Sequence, residues 1–169
     1  GDVEMTIEHS RFSDCRSVQH GGTMCVYNGA TVSMVASTVQ RSSSQGSGGA
    51  AAVAGAHATF TSSSFLECSA AQAGGAVWGS EFVQFPSDSL KSTVQVVACE
   101  FANNSAVSGA AVALTSSSVG DVHDSSFTGN AASDSGGAMH ASIQASVTIE
   151  TSNFTANAAD DSGGAMAVT

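Results

Sequence analysis

The sequence predicts an all-β fold, a right-handed parallel β-helix (solenoid) of about six coils of ~27 residues each. Three observations predict it. Glycine pairs recur at Gly21-Gly22, Gly48-Gly49, Gly74-Gly75, Gly136-Gly137 and Gly163-Gly164, with Ser108-Gly109 as a degenerate copy; their first positions differ by 27, 26, 34, 28 and 27 residues. An upstream marker (Phe12, Val39, Phe65, Phe101, Phe127, Phe154) precedes the glycine site by nine residues in five copies and by seven in the fourth. Apolar and polar residues alternate before each marker, the period of a half-buried strand.

The first element of each coil is the strand that leads into the marker, as in Val-Thr-Ile-Glu-Thr-Ser-Asn-Phe at 147–154. Five residues before the markers stand Ile7, Met34, Phe60, Val96, Val122 and Ile149, expected to form one inward column. A polar turn follows, with Cys15, Ser42, Cys68, Asn104, Asn130 and Asn157 three residues after the markers. Asn tolerates left-handed backbone and bonds its own turn, and stacked Asn side chains can form a ladder between coils. After the glycines a short strand is expected at 23–26, 76–78, 138–141 and 165–168. Two or three short strands per coil cannot bury an apolar side alone, so the coils must stack. Helical periodicity is absent, and Ser, Thr, Val and Gly disfavour helix. At about 4.8 Å per coil the stack makes a rod roughly 25–30 Å long. The right hand follows from the preference of parallel crossovers.

These repeats resemble those of the polymorphic outer membrane proteins, bacterial autotransporter adhesins marked by FxxN and GGA[ILV] tetrapeptides. Phe101-Ala-Asn-Asn104, Phe127-Thr-Gly-Asn130 and Phe154-Thr-Ala-Asn157 match the first motif. Gly74-Gly-Ala-Val77 matches the second, and Gly136-Gly-Ala-Met139 and Gly163-Gly-Ala-Met166 match it with Met last. The first three coils carry Cys or Ser where the motif has Asn. Similar repeats occur in large surface proteins of eukaryotic microbes. The resemblance spans nearly the whole chain and implies a β-helical passenger on a cell surface, with a role in adhesion or surface architecture.

Composition narrows the function classes. With a net charge of −10 and only four Lys plus Arg, the chain lacks the basic surface that nucleic acid or an anionic membrane would require. No apolar run reaches the roughly 18 residues of a membrane span. The N-terminus, Gly-Asp-Val-Glu-Met, carries no basic region followed by an apolar stretch, and residues 1–169 read as a single β-helix segment of a longer protein in which neighbouring coils continue the stack. The expected location is extracellular or at the cell surface.

Cys15, Cys25, Cys68 and Cys99 make no CxxC motif. Cys15 and Cys68 share a repeat position two coils apart, roughly 9–10 Å, too far for a disulfide. Cys15 with Cys25, or Cys68 with Cys99, stays open. Asn103-Asn104-Ser105 and Asn153-Phe154-Thr155 are glycosylation sequons with Asn103 and Asn153 as acceptors, or chance triplets in a Ser- and Thr-rich chain.

Parallel β-helices also host polysaccharide-cleaving enzymes, whose sites need carboxylates on one exposed strand face across adjacent coils. Among the outward positions only Asp121, His123 and Glu150 cluster, with no Arg or Lys near them in the alignment. Asp134, Asp160 and Asp161 form a second acidic group that Ca²⁺ could neutralise with oxygen ligands, or that water could simply solvate. No catalytic residue, and no cofactor other than that Ca²⁺, is assigned, and His9, His20, His57, His123 and His140 fall at different repeat positions. The coil after Gly74-Gly75 carries an insertion of eight to ten residues within Ser80–Ser92, with Phe82, Phe85, Pro86, Leu90 and Lys91. It either caps a flank of its own helix or presents Phe82, Phe85 and Leu90 as an interface for a neighbouring subunit. The chain is expected to be a structural or adhesive scaffold binding other copies or other subunits, not an enzyme. The alternative is a carbohydrate-active or glycan-binding β-helix, with outward Trp78 as its aromatic platform.

Overall fold

A computed structural model describes residues 3–84 and 88–169. The chain is a parallel β-solenoid of six coils, and each coil contributes one strand to each of four six-stranded sheets. The first sheet stacks Glu4–Glu8, Thr31–Val35, His57–Thr61, Thr93–Val97, Val119–His123 and Ser146–Glu150. The second stacks Arg11–Ser13, Thr38–Gln40, Ser64–Leu66, Glu100–Ala102, Ser126–Thr128 and Asn153–Thr155. Two-residue strands from Arg16–Ser17 to Ala158–Ala159 form the third, and the fourth runs from Met24–Tyr27 to Met166–Val168. Four strands per coil exceed the two or three expected, because the polar stretch after each marker still pairs with its neighbours for two residues.

The register follows the repeat. Ile7, Met34, Phe60, Val96, Val122 and Ile149 pair in one column. Phe12, Val39, Phe65, Phe101, Phe127 and Phe154 pair in another. The rings of Phe65, Phe101, Phe127 and Phe154 stack at centroid separations of 4.9, 4.8 and 4.6 Å, within 8° of parallel. The coil spacing imposes that distance, and the stack adds ~0.5–1.5 kcal/mol per pair beyond area burial. Across the core, Leu114 compensates for two glycines: a Cβ at Gly79 would stand 2.6 Å from its Cδ2, and one at Gly120 would clash with its Cδ1.

Two corners connect the first three sheets, each one left-handed residue followed by one ladder residue. His9, Ala36, Ser62, Ala98, Asp124 and Thr151 have φ of 46–51° at the first. The next residue is Ser10, Ser37, Ser63, Cys99, Ser125 or Ser152. Its side chain donates to the carbonyl two residues back, as in Ser125 Oγ to His123 O at 2.7 Å. It also accepts the backbone N–H of its counterpart in the preceding coil, as in Ser10 N to Ser37 Oγ at 3.0 Å and Ser125 N to Ser152 Oγ at 3.1 Å. At the second corner the left-handed residue is Asp14, Arg41, Glu67, Asn103, Gly129 or Ala156. The expectation that the ladder Asn itself would take the left-handed conformation is corrected here. The residue before it does, which frees Asn to point inward and bond between coils. Asn104 Nδ2 donates to Asn130 Oδ1, and Asn130 Nδ2 to Asn157 Oδ1, both at 2.9 Å.

The first glycine of each pair has φ of 63–71°, and in the fourth coil it is Gly109, at 58°, and not Ser108 that takes this address, since Ser108 pairs with Ala73. The second is there for the coil above: a Cβ on Gly22, Gly49 or Gly137 would run into the carbonyl of Gly49, Gly75 or Gly164.

Candidate functional site

The solenoid carries four surface features built from the residues singled out above. On the outer face of the first sheet, Asp121 and His123 lie two residues apart and so on one side of their strand. His123 pairs in register with Glu150 of the next coil. His123 Nε2 stands 2.7 Å from Asp121 Oδ1 and Nδ1 stands 3.5 Å from Glu150 Oε2, with all three side chains partly exposed. This is an imidazole held between two carboxylates, an arrangement that orients a ring for proton transfer. Arg11, Arg16 and Arg41 all lie in strands or corners of the first two coils, away from it. Arg41 is used by Asp14, through Nε–Oδ1 and Nη2–Oδ2 contacts of 2.8 and 2.9 Å, which hold the Asp14 carboxyl below its ordinary range.

Asp134, Asp160 and Asp161 are exposed on the turns that precede the last two glycine sites. Ser108 Oγ donates to Asp134 Oδ2 at 3.3 Å, Ser162 Oγ to Asp161 Oδ2 at 2.9 Å, and Asp161 N to the Asp134 carbonyl at 2.9 Å. Among the described residues no three His, Cys, Asp or Glu side chains converge as a metal-binding group.

On the fourth sheet Trp78 points outward, alternating with the core residue Val77. Its ring is not bare. The His20 imidazole stacks on it with centroids 5.0 Å apart and planes 15° apart, and His20 Nδ1 accepts the Ser47 N–H at 3.0 Å. One face of the indole, which a sugar platform would need open, is therefore covered by the chain itself.

The insertion forms an antiparallel hairpin, Phe82–Gln84 with Asp88–Leu90, at the corner between the fourth and first sheets. Its base is anchored by Ser92, whose buried hydroxyl accepts Gly55 N–H at 2.9 Å and bonds the carbonyls of Val53 and Ser80. Phe82 lies against its own helix, with its Cβ 2.6 Å from where a Cβ on Gly55 would stand and its ring 6.4 Å from that of Tyr27. Leu90 remains 36% exposed. Phe85 lies outside the described residues. Tyr27, 41% exposed, and Ile143, 65% exposed, continue this edge in other coils. Partial burial, with the Cys25 thiol as hydrogen-bond partner, pushes the Tyr27 phenol up to about 12.

Asn103 and Asn153 are both exposed, and Thr155 Oγ1 approaches Asn153 Oδ1 at 3.4 Å. All four cysteines are free thiols, Cys68 and Cys99 buried and Cys25 exposed. Neither disulfide left open by the sequence is present. The serine ladder at the first corner lies outside the repeat markers that the sequence analysis used. Its signal was in plain view, since Ser or Cys stands two residues before every marker.

No family model, no curated protein and no solved structure matches this chain.

Proposed function

We propose that this chain is a stiff scaffold segment of an extracellular or cell-surface protein, with a structural or adhesive role, whose side faces hold other protein subunits. The observation that supports the reading is the set of columns that join coil to coil: the stacked rings of Phe65, Phe101, Phe127 and Phe154, the serine ladder with Cys99 as one member, and the asparagine ladder of the last three coils. Columns of this kind resist bending and shear, because every rung is hydrogen-bonded above and below. The exposed edge of Tyr27, Leu90 and Ile143 beside the hairpin supplies apolar contacts for a partner. The FxxN and GGA motifs add support through their resemblance to surface adhesins.

The Asp121–His123–Glu150 group favours a second reading, a carbohydrate-active β-helix. One experiment separates the two. Purified protein is incubated with neutral and acidic polysaccharides, and released ends are quantified. The scaffold reading predicts no turnover above buffer. Turnover that disappears in His123→Ala and Asp121→Asn would replace it with the enzymatic one.

A further inference from the structure

The corner between the fourth and first sheets changes length at one coil. Tyr27, Ala54 and Ser80 stand in one registered column, which Thr115 and Ser142 continue. After that column three residues turn the corner in the first, fourth and fifth coils: Asn28-Gly29-Ala30, Ser116-Ser117-Ser118 and Ile143-Gln144-Ala145. The second coil turns it with two, Gly55-Ala56, and the hairpin leaves the third coil directly above.

The short corner also lacks a side chain. Gly55 takes φ 59°, and a Cβ there would stand 2.6 Å from Phe82 Cβ, 2.9 Å from Leu90 Cβ and 3.1 Å from Leu90 O. Rotating a side chain relieves none of these contacts, because a Cβ and a carbonyl oxygen move only with the backbone. The missing residue and the missing side chain thus coincide at the place where the hairpin base sits.

The base reaches beyond its own coil. The Phe82 ring lies 6.4 Å from the ring of Tyr27 in the first coil. Ser92 holds the Gly55 N–H at 2.9 Å and bonds the Val53 carbonyl, both in the second. Glu81 N–H donates to Ser116 O in the fourth at 3.2 Å. Stacking alone joins a coil to its two neighbours. This corner joins four.

We infer that the insertion is a strap, seated by its base on a corner of the second coil that is shortened to receive it, and that it clasps the first four coils together along this edge. Phe82 works inward, against Gly55 and Tyr27, and opening the first coil at Tyr27 must release it. Leu90 keeps an exposed side, so a subunit docked on this edge leaves the strap closed. The inference is independent of the scaffold reading.

Two changes of length, alone and combined, test it by thermal unfolding. Gly55→Asn-Gly gives the second coil the three-residue corner of the first. Deleting Phe82–Leu90 removes the strap and leaves Glu81-Lys91-Ser92, again three residues. The longer corner is expected to lower the melting temperature of the intact chain by several degrees and to leave that of the strapless chain unchanged or higher. The same loss in both backgrounds, or none in the intact chain, would overturn the inference. Phe82→Ala decides the matter if the deletion does not fold. Tyr27 is the one tyrosine of the chain, and burial pushes its phenol up to about 12. Near-ultraviolet absorbance at about pH 11 therefore reads its phenolate alone. Phe82→Ala is expected to raise the phenolate fraction several-fold, and Ile143→Ala, on the same edge in the fifth coil, to leave it unchanged. No rise in Phe82→Ala, or an equal rise in Ile143→Ala, would contradict the strap.

Discussion

At the scale of single residues, position in a column decides the energy. Phe127 is fully buried between Phe101 and Phe154, whereas Phe12 ends its column and is half-buried. Phe127→Ala is expected to cost about 3–5 kcal/mol in denaturant unfolding and Phe12→Ala clearly less. A Phe127→Ala loss below about 1 kcal/mol would remove the column from the core. Ser44 is the opposite case. Its buried hydroxyl finds no partner, and it pairs with Ala70 in a column that continues as alanine. Ser44→Ala should raise stability by ~1 kcal/mol in the same measurement, because it removes a desolvated group that bonds nothing. Ile143 carries a different liability, a β-branched residue at φ 53° in an exposed turn. Ile143→Gly relieves it and should gain about 1 kcal/mol, read as a higher melting temperature.

At the scale of elements, the corners carry most of what the sequence hid. The marker phenylalanines and the Ile7-to-Ile149 column were legible because apolar alternation marks a strand wherever it stands. The Asn ladder was legible because Asn104, Asn130 and Asn157 share one address. The left-handed residues were not, since His9, Ala36, Arg41 and Thr151 share no chemistry and are set only by where the strands must turn. The hairpin's location was visible as a spacing anomaly, but not that Phe82 would rest on Gly55 and Tyr27, which depends on the fourth sheet lying beside it. Cys68 stands where the Asn ladder ends and gives the column a pH dependence. Burial pushes its thiol up to about 11, from 9.0. The folded state thus keeps its proton where the unfolded chain loses it, so stability present below pH 9 falls as pH rises toward 11, by about 1.4 kcal/mol per pH unit. Burial raises Cys99 in the same direction. Cys68→Asn would supply Oδ1 to Ser42 N–H and Nδ2 to the Val39 carbonyl, the pattern Asn104 already makes with Cys68 N–H and Phe65 O. That variant is expected to melt higher at neutral pH and to lose less stability in alkali. An unchanged alkaline slope would show that Cys68 is not its source.

At the scale of the whole molecule, the account makes each coil an interchangeable unit addressed by four columns: the inward aliphatic, the phenylalanine, the serine and the asparagine. His123 and Glu150 occupy the same address 27 residues apart, as Ser125 and Ser152 do. The most direct measurement is therefore an excision series followed by thermal unfolding. Removing residues 124–150 joins His123 to Thr151 and returns every column to register. Removing residues 124–148 keeps the alternation of inward and outward side chains but shifts the serine, phenylalanine and asparagine addresses by two. The account predicts a cooperative melt for the in-phase chain, a few degrees below the intact protein, and loss of cooperative folding for the out-of-phase chain. Equal stability of the two, or an unfolded in-phase chain beside a folded out-of-phase one, would contradict it.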